Sequence, residues 1–239
     1  MSTVVFLPGL GQNQDDWRPV ITGLPAMLTG RYLQLNRGSG FSIEDSARRV
    51  RDQVDELGEE RVDVVGLSLG AMVALRFAAD HPDRVRRLVI SGGQVHPPRL
   101  LMRVQSAVMR VLPSRLVAAP GLSKGDLLAT LSALTTTDLR PALASIAAET
   151  LVLCGGRDRP NLAAARSIAA GIPSAVLEIV PGVGHEWNRT HPELFAARVS
   201  LFLGCDAEPT SGREPRARSV DLHPIRTLSR LSRWADRRT

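Results

Sequence analysis

Hydrophobic residues in this chain form short, continuous runs that alternate with stretches of helical periodicity. Continuous rather than alternating runs are typical of strands buried on both faces of a sheet. The predicted strands are Val4–Leu7, Arg31–Leu35, Val62–Val65, Arg87–Ser91, Leu151–Cys154 and Ala175–Val180. The predicted helices between them are Ser42–Leu57, Ala71–Ala79, Ala163–Gly171 and Pro192–Leu203. This alternation predicts an α/β fold, a mostly parallel, doubly wound sheet of about six strands with helices on both faces.

The alternation breaks between about residue 95 and residue 148. Two segments in this interval, Arg99–Leu112 and Lys124–Leu134, have helical periodicity. A helical insertion between two sheet strands is able to cover an active site, so we expect a small helical cap here. Surface helices that only complete the core are the alternative.

The composition changes after Gly204, which sets the predicted domain at residues 1–204 and a basic tail at residues 205–239. The start of this tail is rich in Pro, Gly, Ser and charge, a composition typical of disorder. Ile225–Trp234 has apolar residues three apart with arginines between them, which is compatible with a short amphipathic helix. Such tails are more often frayed or docked on their own domain, so we do not expect membrane contact.

The net charge of +6 does not point to a nucleic-acid partner. The tail holds eight Arg against five Asp or Glu, and the remaining excess is spread over the domain without a basic stripe. Of the two cysteines, Cys154 lies in an apolar run, so a disulfide framework is not expected. The sequence has no leader pattern and no apolar run of about 18 residues, which predicts a soluble, cytoplasmic protein.

The strongest chemical signal is Gly-Leu-Ser-Leu-Gly at residues 66–70. It follows a predicted buried strand and opens a predicted helix, as the nucleophile elbow G-x-S-x-G does. Glycines two before and two after Ser68 leave room for a sharp turn that lifts its hydroxyl clear of the sheet. The turn also directs the next helix N-terminus at the reacting centre. Ser68 is therefore the predicted nucleophile.

A serine hydroxyl needs a base, and the base needs an orienting acid. His185 follows glycines after the last predicted strand, whereas His81 and His191 each precede a proline at a helix boundary. Asp158 follows the strand Leu151–Cys154, and the order Ser, Asp, His is the one this elbow uses. Asp158 as a helix N-cap is the alternative, with Asp138 as the reserve acid.

An oxyanion formed at Ser68 would need two preorganised N–H donors. Leu69, the residue after the nucleophile, is one candidate. The other candidate is Leu10, in the glycine-containing loop after the first strand, with Gly11 nearly as suitable.

Together these residues resemble the α/β-hydrolase family, in its compact esterase and enol-lactone-hydrolase-like branch, over about residues 4–203. The segment from Pro8 to Trp17 resembles the family's His-Gly-x-Gly…Trp segment, with Pro8 in place of the usual histidine. Asn36 stands where the family often has Asp. The chain begins at the strand that is normally third in the family's sheet, so the first hairpin is expected to be missing.

The resemblance implies a serine hydrolase that cleaves an ester, thioester or lactone of a small, largely apolar molecule, without metal or cofactor. A ligand-binding receptor or regulator with little turnover is the alternative, because one fold hosts many functions. A third reading is an enzyme tethered to a membrane or partner through Ile225–Trp234. The sequence leaves the substrate and the oligomeric state open.

Overall fold

The predicted buried runs form a six-stranded, all-parallel sheet in the computed structural model of the chain. The structure describes residues 2–35, 40–97, 99–113 and 123–204, without the side chains of residues 99–103 and 105. The strands are β1 (Ser2–Leu7), β2 (Leu28–Tyr32), β3 (Val62–Leu67), β4 (Val85–Ser91), β5 (Glu149–Gly155) and β6 (Ala175–Val180). The parallel α/β fold expected from the sequence is confirmed.

Helices connect the strands. They are α1 (Gln14–Thr22), α2 (Ile43–Glu56), α3 (Leu69–Asp80), α4 (Arg99–Val111), α5 (Lys124–Leu134), a 3-10 helix (Arg140–Ser145), α6 (Arg159–Gly171), α7 (Trp187–Thr190) and α8 (Pro192–Phe202). None of the helices in the described ranges is long and apolar enough to cross a membrane.

Each central strand contributes side chains to a hydrophobic cluster on each face of the sheet. In β1, Val5 and Leu7 belong to one cluster, and Val4 and Phe6 belong to the other. Helices α2, α3 and α6 supply buried residues to the first cluster, and α1, α7 and α8 supply the second. Burial on both faces explains why the strands are continuously apolar.

The strand order is β2-β1-β3-β4-β5-β6. The chain runs from β1 to one side and then returns to the other side of β1 with β3. In open parallel sheets, ligands bind beyond the carboxyl ends of the strands at such a reversal. Leu7 pairs with Gly66 at these ends, so the loops after β1 and β3 leave the sheet side by side.

One predicted strand was misplaced. The prediction was Arg31–Leu35, whereas β2 spans Leu28–Tyr32. The register explains the difference, because Leu28 pairs with Ser2 at the start of β1 and the pairing ends at Tyr32 opposite Phe6. Within the described residues β2 forms an edge of the sheet.

Helix α1 was not predicted, although its start carries a readable signal. The Asn13 side chain accepts from the Asp16 N–H, and the Asp16 side chain accepts from the Asn13 N–H, which is a capping box.

Helices α4 and α5 and the 3-10 helix occupy the interval between β4 and β5 in which helices were predicted. The tail at residues 205–239 and the family departure at Asn36 lie outside the described residues.

Candidate functional site

Ser68 lies at the turn between β3 and α3 with φ 55° and ψ −113°. Among the described residues it is the only non-glycine residue with positive φ. A backbone conformation of this kind costs about 1–3 kcal/mol and persists only where the surroundings enforce it. Its N–H donates to the Ser91 carbonyl at the end of β4, 2.9 Å away, which ties the turn to the neighbouring strand.

Two flanking glycines make this turn possible. A Cβ on Gly66 would lie 2.6 Å from the carbonyl oxygen of Gly70. A Cβ on Gly70 would lie far inside van der Waals contact with the carbonyl of Leu7 in β1. The turn therefore folds back against backbone on both sides, and only hydrogen fits at either position.

His185 and Asp158 meet above the carboxyl ends of β5 and β6. The Nδ1 of His185 lies 2.7 Å from the Oδ2 of Asp158. Asp158 occupies the N-cap position of α6, but its side chain makes no capping hydrogen bond. Its carboxylate is only 5% exposed, whereas the His185 side chain is 35% exposed. The carboxylate is thus directed at the imidazole rather than at the start of the helix.

The hydrogen bond to Asp158 raises the pKa of His185 above its usual value of 6.5. Burial opposes this increase, and the charges of Asp158 and Glu186 add to it. A carboxylate on Nδ1 also orients the ring, so that Nε2 is the nitrogen left for a reacting group.

Sequence reasoning missed Asn161 and Gln94. The Nδ2 of Asn161 donates to both carboxylate oxygens of Asp158, at 2.8 Å and 2.9 Å, and lies 3.1 Å from the Nδ1 of His185. The Nε2 of Gln94 donates to the Oδ1 of Asn161 over 2.6 Å. Neither residue stands in a motif, and an Asn in the first turn of a helix gives no sequence signal of this role.

Gly92, which follows β4, was also missed. Its φ is +58°, and a Cβ there would lie 2.9 Å from the Cε1 and Nδ1 of His185. The imidazole therefore packs directly on backbone at this point, and a side chain would displace it.

The loop after β1 is supported by Gln12, which is 1% exposed. Its Oε1 accepts from the N–H of Gly9 and from the Nε1 of Trp17, both at 3.0 Å. Its Nε2 donates to the Oδ1 of Asn188 in α7, 3.1 Å away. A buried glutamine thus holds the loop in which Pro8 replaces the family's usual histidine, and it also ties this loop to the segment after His185.

The two predicted oxyanion donors follow the neighbouring strands β1 and β3. Leu69 is the first residue of α3, directly after Ser68, and is buried. Leu10 lies in the loop after β1 and packs against the first hydrophobic cluster. Gly11, the other candidate in this loop, has φ 84°.

The remaining candidates lie elsewhere. The carboxylate of Asp138 binds the Arg140 guanidinium and lies 3.8 Å from the Nδ1 of His96, which does not bring it to His185. His81 and His191 flank helices α3 and α8, as their prolines indicated.

Cys154 is buried, and burial raises the pKa of its thiol to about 11. Within the described ranges no cluster of His, Cys, Asp and Glu could hold a metal ion.

Known proteins share this architecture. The model of the alpha/beta hydrolase family matches residues 4–198. A Caulobacter sp. (strain K31) protein provisionally named carbamate hydrolase RutD is 28% identical over 86% of this chain and 91% of its own length. A pimeloyl-acyl-carrier-protein methyl ester esterase of Edwardsiella ictaluri is 29% identical over 83% and 92%.

Solved structures agree on the fold. The enol-lactonase of Burkholderia xenovorans LB400 superposes with a TM-score of 0.75 at 20% identity, covering 85% of this chain and 91% of that one. With the matched model spanning most of the sequence, the chain belongs to the alpha/beta hydrolase family and is an enzyme of the hydrolase type.

Proposed function

We propose that this enzyme hydrolyses an ester, thioester or lactone of a small, largely apolar molecule through an acyl-enzyme on Ser68. The proposal is carried by a strained serine at φ 55° in the turn after β3, and by a histidine after β6 whose Nδ1 lies 2.7 Å from a buried carboxylate. The methyl ester esterase among the relatives supports a carbonyl substrate.

In the first half-reaction the Oγ of Ser68 forms a bond to the substrate carbonyl carbon, and its proton passes to the Nε2 of His185. Asp158 stabilises the resulting imidazolium through Nδ1. When the tetrahedral intermediate collapses, the bond to the leaving group breaks, and the alcohol or thiol departs with that proton. In a lactone the alcohol stays attached to the acyl group.

In the second half-reaction water attacks the acyl-enzyme and gives a proton to His185. Collapse releases the carboxylic acid and returns the proton to Ser68 Oγ, so the enzyme is regenerated. The N–H groups of Leu69 and Leu10 are the proposed donors to the oxyanion in both steps. Donors fixed in advance stabilise developing charge without reorganisation, and losing one costs about 10²–10³ in rate.

A fluorophosphonate probe tests the proposal directly. We expect it to label the wild type and to leave Ser68→Ala and His185→Ala unlabelled at equal folded content by circular dichroism. A panel of methyl esters, thioesters, lactones and carbamates with short apolar acyl groups then identifies the substrate class. A well-folded wild type that neither reacts with the probe nor hydrolyses any member of the panel would contradict the proposal.

A further inference from the structure

The carboxylate of Asp158 has two side-chain donors among the described residues, His185 and Asn161. At 5% exposure it is largely removed from water, so these donors supply most of its hydrogen bonding. Asn161 contacts both oxygens, including the Oδ2 that faces the imidazole. The Asn161 amide and the His185 imidazole therefore both hydrogen-bond to the same carboxylate oxygen of Asp158.

Asp158 and Gln94 together set which end of the Asn161 amide faces the carboxylate. The carboxylate only accepts, so it takes the Nδ2 end, and the Nε2 of Gln94 donates to the Oδ1 end. Gln94 is itself held at the junction after β4, where the carbonyl of the next residue, Val95, accepts from the N–H of Leu139 at 2.7 Å. The two ends of the helical insertion thus meet beside the residue that orients Asn161.

We propose that Asn161, oriented by Gln94, is a positioning residue that sets the proton affinity of the proposed base His185. Two effects act in the same direction. First, the hydrogen bond from the Asn161 amide partly neutralises the negative charge on the Asp158 oxygen that attracts the imidazolium. Second, the positive N–H end of the amide lies 3.1 Å from the Nδ1 of His185. Both disfavour the protonated ring, so Asn161 counteracts part of the influence of Asp158.

Among the described residues, the charges that shift the pKa of His185 are those of Asp158, in the segment between β5 and α6, and of Glu186, the next residue in the chain. Gly92, which packs against the ring, carries no charge. A change at the neutral side chain of Asn161 therefore alters the titration of His185 without adding or removing a charge.

The test is the titration of the His185 imidazole by NMR, compared between Ser68→Ala and Ser68→Ala with Asn161→Leu. Leucine keeps the branched shape of asparagine at Cγ but is larger and lacks the amide. We expect the pKa of His185 to rise by about one unit, a tenfold change in the proton-binding constant. Gln94→Leu removes a side chain whose hydrogen bonds go to Pro160 and Asn161, so it should raise the pKa of His185 by less.

Gln53→Leu on α2 is the matched control, since Gln53 is a half-buried glutamine, like Gln94, whose side chain donates to backbone carbonyls. It should leave the pKa of His185 unchanged. An unchanged or lowered pKa in folded Asn161→Leu would overturn the inference. Should that variant fail to fold, the Gln94→Leu titration decides alone, and a pKa equal to that of the control overturns it.

This inference rests on the proposed function, because it assumes that His185 is the catalytic base. The experiments nevertheless distinguish a failure of one proposal from a failure of the other. If the wild type does not react with the fluorophosphonate while the NMR shifts appear, the positioning of His185 stands and the hydrolytic mechanism falls. If the wild type labels and the titration does not move, the mechanism stands and Asn161 serves only the start of α6.

Discussion

The two halves of the candidate site are held in place by different forces. The serine half, Gly9–Gln12 with Gly66–Gly70, is shaped chiefly by backbone packed against backbone, with the elbow pressed against β1. The histidine half, Asp158 and His185 with Asn161 and Gln94, is held by side-chain hydrogen bonds between 2.6 Å and 3.1 Å long. Where backbone packs against backbone, almost no substitution fits. In a network of side-chain hydrogen bonds, single substitutions can change the properties of the site by degrees.

Among changes that keep Ser68 and His185, the largest effect on reactivity should come from Asp158→Asn in the histidine half. An amide at this position holds the imidazole in the wrong tautomer, and the corresponding change in a serine protease lowers turnover by about 10⁴. We expect the rate of fluorophosphonate labelling to fall by about that factor while the melting temperature changes little. Equal labelling of the variant and the wild type would show that Asp158 does not orient the base.

The largest effect on stability should come from Gly70→Ala in the serine half. The new Cβ meets the backbone of β1, which cannot move aside without breaking the sheet. Overpacking of this kind costs about 1–3 kcal/mol or more, measured by chemical denaturation. Gly125→Ala is the control, because its Cβ meets nothing closer than 3.6 Å and Gly125 is the second residue of α5, so this variant should be at least as stable as the wild type.

Gln12→Leu tests whether the serine half also depends on a side chain. The substitution leaves the N–H of Gly9 and the Nε1 of Trp17 without their acceptor in a buried site. Each unsatisfied buried donor costs about 1–3 kcal/mol, so the free energy of unfolding should drop by a few kcal/mol. Labelling should slow less than in Asp158→Asn. A variant as stable as the wild type would show that this loop is held by packing alone.

The smallest effect is a pH dependence of the histidine half. Since the pKa of His185 is raised above 6.5, the ring accepts the serine proton only at higher pH, and labelling should fall as the pH drops through this raised value. The contribution of charged His185, beside Asp158, to the free energy of unfolding has the opposite pH dependence. This contribution is fully present below pH 6.5 and is lost as the pH rises through the raised pKa of His185.

Labelling rates and melting temperatures measured at the same pH values should therefore change in opposite directions. If both rise together across that interval, His185 is not the group that limits labelling. Neutral His185 at all these pH values would also contradict the assignment of Asp158 as its partner.

The serine half was readable from the sequence because its residues stand in one five-residue motif. Glycine at position 66 is required by the turn itself and glycine at position 70 by the neighbouring strand β1, but the spacing of both and the strand and helix on either side are visible as local patterns. The histidine half was readable only for its ionisable members. Asn161 and Gln94 are 67 residues apart and meet through the packing of β4 beside β5, which no local pattern encodes.

The same division explains the errors in the fold. The central strands were predicted well because they are buried on both faces and therefore continuously apolar. At the edge, β2 is half-buried, and its bounds follow from its register with β1 rather than from its own composition.

The sequence by itself determined the strand–helix alternation, the elbow around Ser68 and the order of Ser68, Asp158 and His185, because periodicity and glycine spacing are local properties of a chain. Only the tertiary structure decided the bounds of β2, the burial of Gln12 beneath the loop after β1, and the placement of Asn161 between Gln94 and Asp158. Those features depend on which strands lie side by side, and a hydrogen bond between distant side chains exists only after that packing is formed.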